Sequence, residues 1–595
     1  MKRNLGANKQ QTMLGGAVVL TISVALVKLI GMFYKVPLAN IIEEVGMGYF
    51  ASAHEIYLPI FAIAITGLPI AVSRMVAQRV SAGLYRDVRA IHRVAKRLFL
   101  AMGISGTLVI AALAYPYAYH FAAGELLSLP AIFAIAPTVL FVCAMSAYRG
   151  YYEGLRNMVP TATSQVIEAV CKLAIGLLLA VIVMNVGRHE FVSYGTVFGQ
   201  TAGSIDEAYS FMYAWAAAAA ILGITIGSVL GFVYLWLRHK LRGDGITQEQ
   251  LHLAPPAQPG RKLAREMLVM SVPMVISSSI LNLTNFIDAI NVQRLLRTAL
   301  EVHPEVIHNI YGAVFEMRGI LPEDQVNYIW GIYSIAMTFR TLIPTVVAAL
   351  GISSLPVIAA AWEQKDCKTI HRTINTVLRM AMIIALPAGF GMAVLAYPIL
   401  TLFYGGIPGM AQHAAPIIMV FGAFTALMAI STPIVAILQG IGRTDVPVKS
   451  LVVGMVVKIV MNYVLVSQPH INIMGAAIAT VLFFAVLVAI NLTYLVRITK
   501  TKLRVNQLIV KPLFCGALCA AAAWVVNSMA ARWLPQIGPD PRISLLAQVG
   551  LATGAGIVIY AISMIFTKAL TREDMEMLPG GKKIAKRLAK YGLIG

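Results

Sequence analysis

The stretch Leu113-Ala-Tyr-Pro116 ends one long apolar run, and Leu395-Ala-Tyr-Pro398 ends another in the second half of the chain. Each half also places a lysine in an apolar segment 18 residues after a glycine: Gly154 precedes Lys172, and Gly440 precedes Lys458. Leu68-Pro69 recurs as Leu355-Pro356, at nearly the same spacing as that between the two Leu-Ala-Tyr-Pro stretches. Duplicated halves with ionisable groups at membrane depth predict a transporter whose substrate path runs between the halves.

Composition places the chain in a membrane. Its 595 residues are 59% hydrophobic and 12% charged, and the mean hydropathy is +0.78. We count about fourteen runs of roughly 20 apolar residues, each long enough to cross a bilayer core of about 30 Å. They lie near 13–36, 48–73, 98–119, 129–148, 159–184, 208–237, 267–291, 326–351, 374–401, 411–438, 449–467, 473–496, 511–531 and 544–567. Run length favours helices over barrel strands, so the sequence predicts an all-α integral membrane protein.

The net charge of +21 follows the positive-inside pattern rather than forming a nucleic-acid surface. Most lysines and arginines fall in alternate connections between the apolar runs, which places both termini in the cytoplasm. We therefore expect a multi-pass protein of the bacterial cytoplasmic membrane. The basic tail Lys582–Lys590 is expected to contact anionic membrane lipids, and no nucleic-acid partner is predicted.

No pattern in the sequence indicates covalent chemistry or a bound metal. The five cysteines include no CxxC pair, so neither a disulfide framework nor a zinc site is expected. The chain also lacks HExxH, GxSxG and GxxxxGK[ST] motifs. We therefore expect no enzyme activity, no metal site and no cofactor, while coupling of transport to Na⁺ or H⁺ stays open.

The predicted organisation is two parallel six-helix repeats followed by two accessory C-terminal helices. Six helices per repeat return the chain to the cytoplasmic side, so the repeat axis lies along the membrane normal. Proline, glycine and charge at 238–265 predict a flexible cytoplasmic linker. The outer loop 294–325 carries acids and is assigned no function. The segments are an N-lobe at 1–237, the linker at 238–265, a C-lobe at 266–497, accessory helices at 498–567 and a basic cytoplasmic tail at 568–595.

Four stretches carry a more specific resemblance. They are Gly67-Leu-Pro-Ile-Ala-Val-Ser-Arg74, the block from Arg149-Gly-Tyr-Tyr-Glu-Gly to Glu168, Tyr333-Ser-Ile-Ala-Met-Thr-Phe-Arg340 and Gln439-Gly-Ile-Gly-Arg443. Together they resemble the MurJ/SpoVB branch of the multidrug/oligosaccharidyl-lipid/polysaccharide exporter superfamily, over nearly the whole chain. The resemblance implies two lobes around a central cavity, alternating access, and flipping of an undecaprenyl-linked precursor, lipid II being the leading case. It also associates the two accessory helices with a groove for the lipid tail.

Four cations inside predicted spans are candidates for binding the substrate's diphosphate: Lys28, Lys35, Arg340 and Lys458. Lys28 and Lys35 are seven residues apart and share a helix face, and an ammonium in hydrocarbon is costly unless it meets water, an anion or a partner. The resemblance implies cations on this first helix that contact the diphosphate, and an arginine near Arg340 in the opposite lobe. Lys35 could instead extend to the interface, and Arg340 could cap carbonyl groups of a neighbouring helix.

Four further residues are candidates for gating or ion coupling: Glu55, Glu168, Lys172 and Asp288. The i,i+4 spacing of Glu168 and Lys172 predicts an ion pair, which is either structural or part of a gate. Asp288 lies in a stripe of asparagines and could bind a proton or Na⁺, or pair with a first-helix lysine. Glu55 is a coupling candidate or a partner of Lys28 or Lys35. Lys458 has no carboxylate one turn earlier, which leaves it a freer cation.

Three other functions compete with a lipid-linked oligosaccharide flippase. A cation-coupled multidrug antiporter would need an acidic or aromatic cavity, whereas the predicted spans contain five cations and three acids. A membrane glycosyltransferase or ligase on the same lipid carrier would need a large outer loop, and the outer loops are mostly short. A scaffold of a cell-wall complex would not need buried charges. The exact lipid-linked substrate stays open, and cell-wall synthesis proteins are candidate partners.

Overall fold

The structure is a computed structural model that describes residues 13–62, 68–120, 126–533 and 541–569. Two compact units divide the chain, Met1–Gly331 and Ile332–Gly595, and the chain passes from one to the other inside a long helix. This division differs from the predicted linker at 238–265, and the lobes inferred from the repeat stay a prediction.

The first unit is built from long helices and one short β-hairpin. In chain order its elements are α1 (Met13–Ala62), α2 (Leu68–Ser81), α3 (Tyr85–His120), a 3-10 turn (Leu126–Ser128), α4 (Leu129–Gly154), α5 (Val159–Tyr194), β1 (Thr196–Val197), β2 (Gln200–Thr201), α6 (Ile205–Arg242), α7 (Gln248–Leu253), α8 (Gly260–Val302), α9 (Pro304–Arg318) and a second 3-10 turn (Pro322–Asp324). The two strands pair antiparallel.

Helix α10 (Gln325–Glu363) begins in the first unit and ends in the second. The second unit continues with α11 (Cys367–Val394), α12 (Ala396–Tyr404), α13 (Met410–Ala423), α14 (Thr425–Gly440), α15 (Asp445–Val466), α16 (Ile473–Thr499), a π-helical turn (Asn506–Val510), α17 (Lys511–Trp533) and α18 (Pro541–Phe566).

The helical membrane architecture predicted from the sequence is confirmed, but the count of fourteen spans is not. Within the described residues, ten helices are long and apolar enough to cross a membrane, or up to eleven if the bent pair α13–α14 forms one span. That pair bends by 48°. Helix α1 covers the first predicted run and residues 48–62 of the second, with a break at Glu43, whose backbone has φ 54° and ψ −165°.

Small residues let α5 and α6 approach closely. A Cβ added to Gly223 would lie 2.3 Å from the Cα of Gly176, and one added to Gly227 would lie 2.8 Å from the carbonyl oxygen of Glu168. Membrane helices lack a hydrophobic driving force toward each other, so close backbone approach and van der Waals contact hold them together. The glycines therefore fix the spacing between α6 and α5, the helix that carries both Glu168 and Lys172.

The segment 238–265, predicted to be a flexible linker, is hydrogen-bonded to α3. Arg86 Nε donates to the carbonyl of Leu251 at 2.8 Å, and the Gln258 N–H donates to Asp87 Oδ1 at 2.7 Å. Leu251 belongs to helix α7, which begins with a capping box. The segment thus has a defined position on the first unit.

Asp244 makes the strongest charged contact between this segment and α3. Its carboxylate accepts from Arg89 Nε at 2.9 Å, from the Tyr151 hydroxyl at 3.0 Å and from the Ile246 N–H at 3.1 Å. Burial by itself raises the pKa of Asp244, but these hydrogen bonds and the Arg89 charge outweigh it and hold the pKa below its ordinary value. The carboxylate is therefore charged throughout the physiological range.

The accessory helices α17 and α18 pack on α11 within the second unit. The Tyr560 hydroxyl donates to the carbonyl of Ile383 at 2.7 Å, and Gln548 Nε2 donates to Asn527 Oδ1 at 2.9 Å between the two accessory helices. Cys515 is fully buried beside Ile383. Its environment agrees with its expected role as a small apolar residue.

Candidate functional site

Helix α1 carries the first candidate cations, beside acidic and aromatic neighbours on its second half. Lys28 lies on α1, but its side chain falls outside the described part of the structure. Lys35 is half-buried and interacts electrostatically with Glu55. Pairing of Glu55 with Lys35 and a coupling role for Glu55 both stay predictions.

Lys172 on α5 lies over an aromatic ring of α1. Its Nζ is 4.8 Å from the centroid of the Tyr34 ring, and the Tyr34 hydroxyl donates to the carbonyl of Ala220 on α6 at 3.0 Å. A cation over an aromatic face is attracted by the ring quadrupole. Lys172 also interacts electrostatically with Lys35, and both lysines interact electrostatically with His54. The first unit thus places Lys172 over the Tyr34 ring and within electrostatic reach of Lys35.

The ion pair predicted between Glu168 and Lys172 does not form among the described residues. Glu168 Oε2 instead accepts from Arg149 NH2 at 3.0 Å, and its Oε1 accepts from Ser228 Oγ at 3.4 Å. Arg149 also donates through Nε to Ser164 Oγ at 2.9 Å. Arginine presents several donors in a rigid fork, which lets it bind two acceptors on α5 at once. Glu168 is therefore bound across helices, to Arg149 on α4, and not to Lys172 one turn along α5.

This network gives a physical reason for the sequence block from Arg149 to Glu168. Arg149 at the end of α4 joins α4 to α5, and the glycines beside it bring α2 close to α4. A Cβ added to Gly150 would lie 2.6 Å from the carbonyl oxygen of Pro69, and one added to Gly154 would lie 2.7 Å from that of Ser73. The block is therefore a three-helix junction centred on Arg149, a residue that no sequence pattern marked as functional.

Helix α15 in the second unit has its polar face turned inward. Its buried residues include Ser450, Gly454, Lys458 and Asn462, at four-residue spacing, while valines on the other faces are exposed. In a water-soluble protein the apolar face of such a helix would be buried and the polar face exposed. Here the polar face is buried, because the apolar face contacts lipid. Lys458 is 3% exposed, and its Nζ lies 5.8 Å from the centroid of Phe483.

Arg340 on α10 lies beside Phe484, the neighbour of the Phe483 ring that Lys458 contacts. Its Cζ lies 5.8 Å from the Phe484 ring centroid and 6.0 Å from that of Phe421. The rings of Phe483 and Phe484 are 5.1 Å apart and nearly perpendicular. The second unit therefore brings two predicted cations to one aromatic pair. Lys172 and Lys458, the repeat-related lysines, each contact a ring, which no sequence pattern indicated.

Asp288 lies on α8 and is 3% exposed. Five residues further along α8, Gln293 Nε2 donates to Ser52 Oγ on α1 at 3.3 Å, and helices α8 and α1 pack together. Proton binding, Na⁺ binding and pairing with a lysine all stay predictions for Asp288. Within the described ranges, no group of three histidines, cysteines or acids could hold a metal ion.

Comparisons with known proteins agree with this architecture. The family model described as polysaccharide biosynthesis protein matches residues 13–362, and the MatE model matches 331–464. Stage V sporulation protein B of Bacillus subtilis (strain 168) is 23% identical over 583 residues, which cover 96% of this chain and 98% of that protein. Lipid II flippase MurJ of the same organism is 24% identical over 478 residues, covering 79% and 80%. A solved structure of lipid II flippase MurJ has a TM-score of 0.57 at 13% identity, covering 93% of this chain and 99% of that chain, and supports the fold.

Proposed function

The chain belongs to the polysaccharide biosynthesis protein family and is homologous to the MurJ and SpoVB flippases, and on that premise we propose that it flips an undecaprenyl-diphosphate-linked cell-wall precursor. Lipid II is the leading substrate, for peptidoglycan or spore cortex synthesis. The precursor would move from the cytoplasmic to the outer leaflet by alternating access, with both termini of the protein in the cytoplasm.

The observation that carries this proposal is the state of Lys172. Its neighbour Glu168 pairs with Arg149 and makes no ion pair with Lys172 among the described residues, while Lys172 lies over the Tyr34 ring. Lys35 adds a second cation beside it, while Arg340 and Lys458 form a separate cationic group in the second unit. A diphosphate needs positive charge to enter a low-dielectric site, because an unpaired anion there is strongly disfavoured.

Charge also favours this function over a cation-coupled multidrug antiporter. An antiporter for cationic drugs needs carboxylates that stay unpaired until substrate or a proton binds, and Glu168 is already bound to arginine. Lysine binds phosphate as a point charge and does not require one orientation of the headgroup. A site of this kind tolerates a large headgroup that rotates while it crosses. An anion that binds one conformation better then shifts the protein toward that conformation.

Replacement of an essential flippase tests the proposal. Cells depleted of their own lipid II flippase should grow and keep their shape when this gene is expressed. Purified protein in vesicles should make a labelled lipid II headgroup accessible on the opposite leaflet. The matched control is Glu301→Gln, which breaks only the exposed pair with Arg297 and should leave transport unchanged. Vesicle activity toward another undecaprenyl-linked oligosaccharide, without activity toward lipid II, would change the substrate; inactivity toward every lipid-linked substrate would refute a flippase.

A further inference from the structure

A buried ion-pair cluster holds the segment Pro304–Gly331 against α1. Arg318, the last residue of α9, donates through NH1 to Glu44 Oε2 at 2.5 Å and through NH2 to Glu43 Oε2. The Arg318 side chain is 8% exposed, and that of Glu44 is 0% exposed. The predicted topology places this cluster on the outer side of the membrane. Arg318 belongs to the outer loop 294–325, for which the sequence indicates no function.

The charges of this cluster do not balance. One guanidinium faces two carboxylates, and Arg318 is the cation that acts on Glu44. The second oxygen of Glu44, Oε1, is buried, and no hydrogen-bond donor reaches it among the described residues. A buried carboxylate oxygen without a donor is costly. A single proton on Oε1 would remove the excess negative charge and leave the bond from Arg318 to Oε2 intact.

Among the described residues, Arg318 is the one cation that acts on Glu44. The Tyr328 ring of α10 lies 5.8 Å from Arg318 Cζ, and Tyr213 of α6 faces Glu43. Asp324 is occupied separately, since it accepts from the hydroxyls of Tyr49 and Ser210. In the described part of the chain, the titratable and charged groups around the cluster are Glu43 on α1, Tyr311 and Arg318 on α9, Asp324 in the second 3-10 turn, Tyr328 at the start of α10, and Asp206 and Tyr213 on α6.

The backbone around the cluster is tightly packed. Glu43 has a positive φ of 54°, a conformation that a non-glycine residue adopts only when its surroundings enforce it. A Cβ added to Gly331 would lie 1.9 Å from the carbonyl oxygen of Glu44, and one added to Gly48 would lie 2.4 Å from that of Asn327. The start of α10 thus touches α1 backbone to backbone, so the segment cannot move away without separating Arg318 from Glu44.

We propose that Glu44 is an outer-side proton-binding site, and that its proton holds the segment Pro304–Gly331 docked on α1. Loss of the proton leaves an uncompensated buried negative charge and releases the segment. External acidity therefore favours the docked arrangement, and external alkalinity favours its release. This inference does not rest on the substrate proposed above, because every group in it lies apart from the candidate cations.

The titration of Glu44 gives the direction and the range. Glu44 lies between the first two predicted spans, 13–36 and 48–73, and burial raises its pKa to about 7 against the lowering effect of Arg318. A carboxyl with a higher pKa in the docked arrangement binds its proton more tightly there than after release. The resulting stabilisation is complete below the ordinary pKa of 4.5 and is lost as the pH rises through about 7.

Hydrogen exchange of full-length protein in nanodiscs tests the proposal. Protection of peptides from 304–331 is measured at pH 5.5, 7.0 and 8.5 in sodium-free buffer and corrected for the intrinsic exchange rate. We expect protection to fall toward pH 8.5, by at most about tenfold per pH unit above the midpoint. Glu44→Gln should stay protected at every pH, because it is neutral and still accepts from Arg318. Glu301→Gln, in the exposed Arg297–Glu301 pair of the same loop, should keep the wild-type profile.

Three results would overturn the proposal. They are equal protection of the wild-type segment at all three pH values, a wild-type pH profile in Glu44→Gln, and saturable recovery of protection by Na⁺ at pH 8.5. The last result would assign a metal cation to Glu44 in place of a proton. If Glu44→Gln does not fold, Glu43→Gln supplies the same information, because it leaves one carboxylate for one guanidinium. Protection at pH 8.5 in that variant would support the charge argument, and its absence would refute it.

Discussion

Removing Arg149 should destabilise the protein, and neutralising Glu168 should reverse most of the loss. Arg149→Ala leaves the Glu168 carboxylate, 23% exposed, without its 3.0 Å partner. Breaking a fully buried pair costs about 3–5 kcal/mol, and an exposed pair is worth about 0–1 kcal/mol. The partial exposure of both side chains, 12% and 23%, places the expected loss at about 2–3 kcal/mol. The lost Arg149–Ser164 hydrogen bond adds about 1 kcal/mol.

A double-mutant cycle measures how much of this loss of stability comes from leaving the Glu168 carboxylate without Arg149. In Arg149→Ala with Glu168→Gln, the buried negative charge is gone, so about 2 kcal/mol should be recovered, or roughly a factor of 30 in the unfolding equilibrium. The measurement is reversible unfolding of the full-length protein in mixed micelles, with expression level as a second readout.

Lys172→Ala is the matched control for this cycle. The variant loses a contact with the Tyr34 ring, worth about 0.5–2 kcal/mol, and Glu168→Gln should not rescue it. Rescue of Lys172→Ala by Glu168→Gln would mean that Glu168 pairs with Lys172 in the membrane, as its sequence spacing predicted. A neutral effect of Arg149→Ala would likewise refute the three-helix junction.

Four further predictions concern transport, topology and the cytoplasmic segment. Lys28→Ala and Arg340→Ala should each abolish flipping with normal expression, whereas Lys28→Arg should stay active and Lys28→Glu should be worse than alanine; normal cell-wall synthesis in both alanine variants would move the diphosphate site elsewhere. Deleting 507–595 should leave a core that inserts but does not transport, and full activity would exclude a substrate role for α17 and α18. In intact cells an impermeant thiol reagent should label a cysteine placed at 310 and not one at 250, and the reverse would invalidate the topology. Exchange protection of 243–258 should be constant from pH 8 to 5, because the lowered pKa of Asp244 keeps its bond to Arg89 until the pH falls through that value; a loss between pH 8 and 6 would contradict this.

The membrane class and the cationic character of the protein could be predicted from the sequence alone. Both depend on features that are local along the chain: apolar runs of span length, and lysines or arginines inside them. The helix periodicity also placed Lys458 and Asn462 on one face, and both are buried on α15. The family could be recognised because the block from Arg149 to Glu168 is a contiguous stretch that forms one junction.

Only the tertiary structure decided which charges meet. Glu168 has a lysine one turn away on its own helix, yet it binds Arg149 on α4, because the side chains of α5 are directed by contacts with α4 and α6. Arg340 and Lys458 come from different helices to one pair of phenylalanines. Helix periodicity reports the face on which a residue lies, but the residue it meets there depends on which helix packs against that face. Glu44 and Arg318 lie 274 residues apart, and nothing along the chain links them before folding brings α9 onto α1.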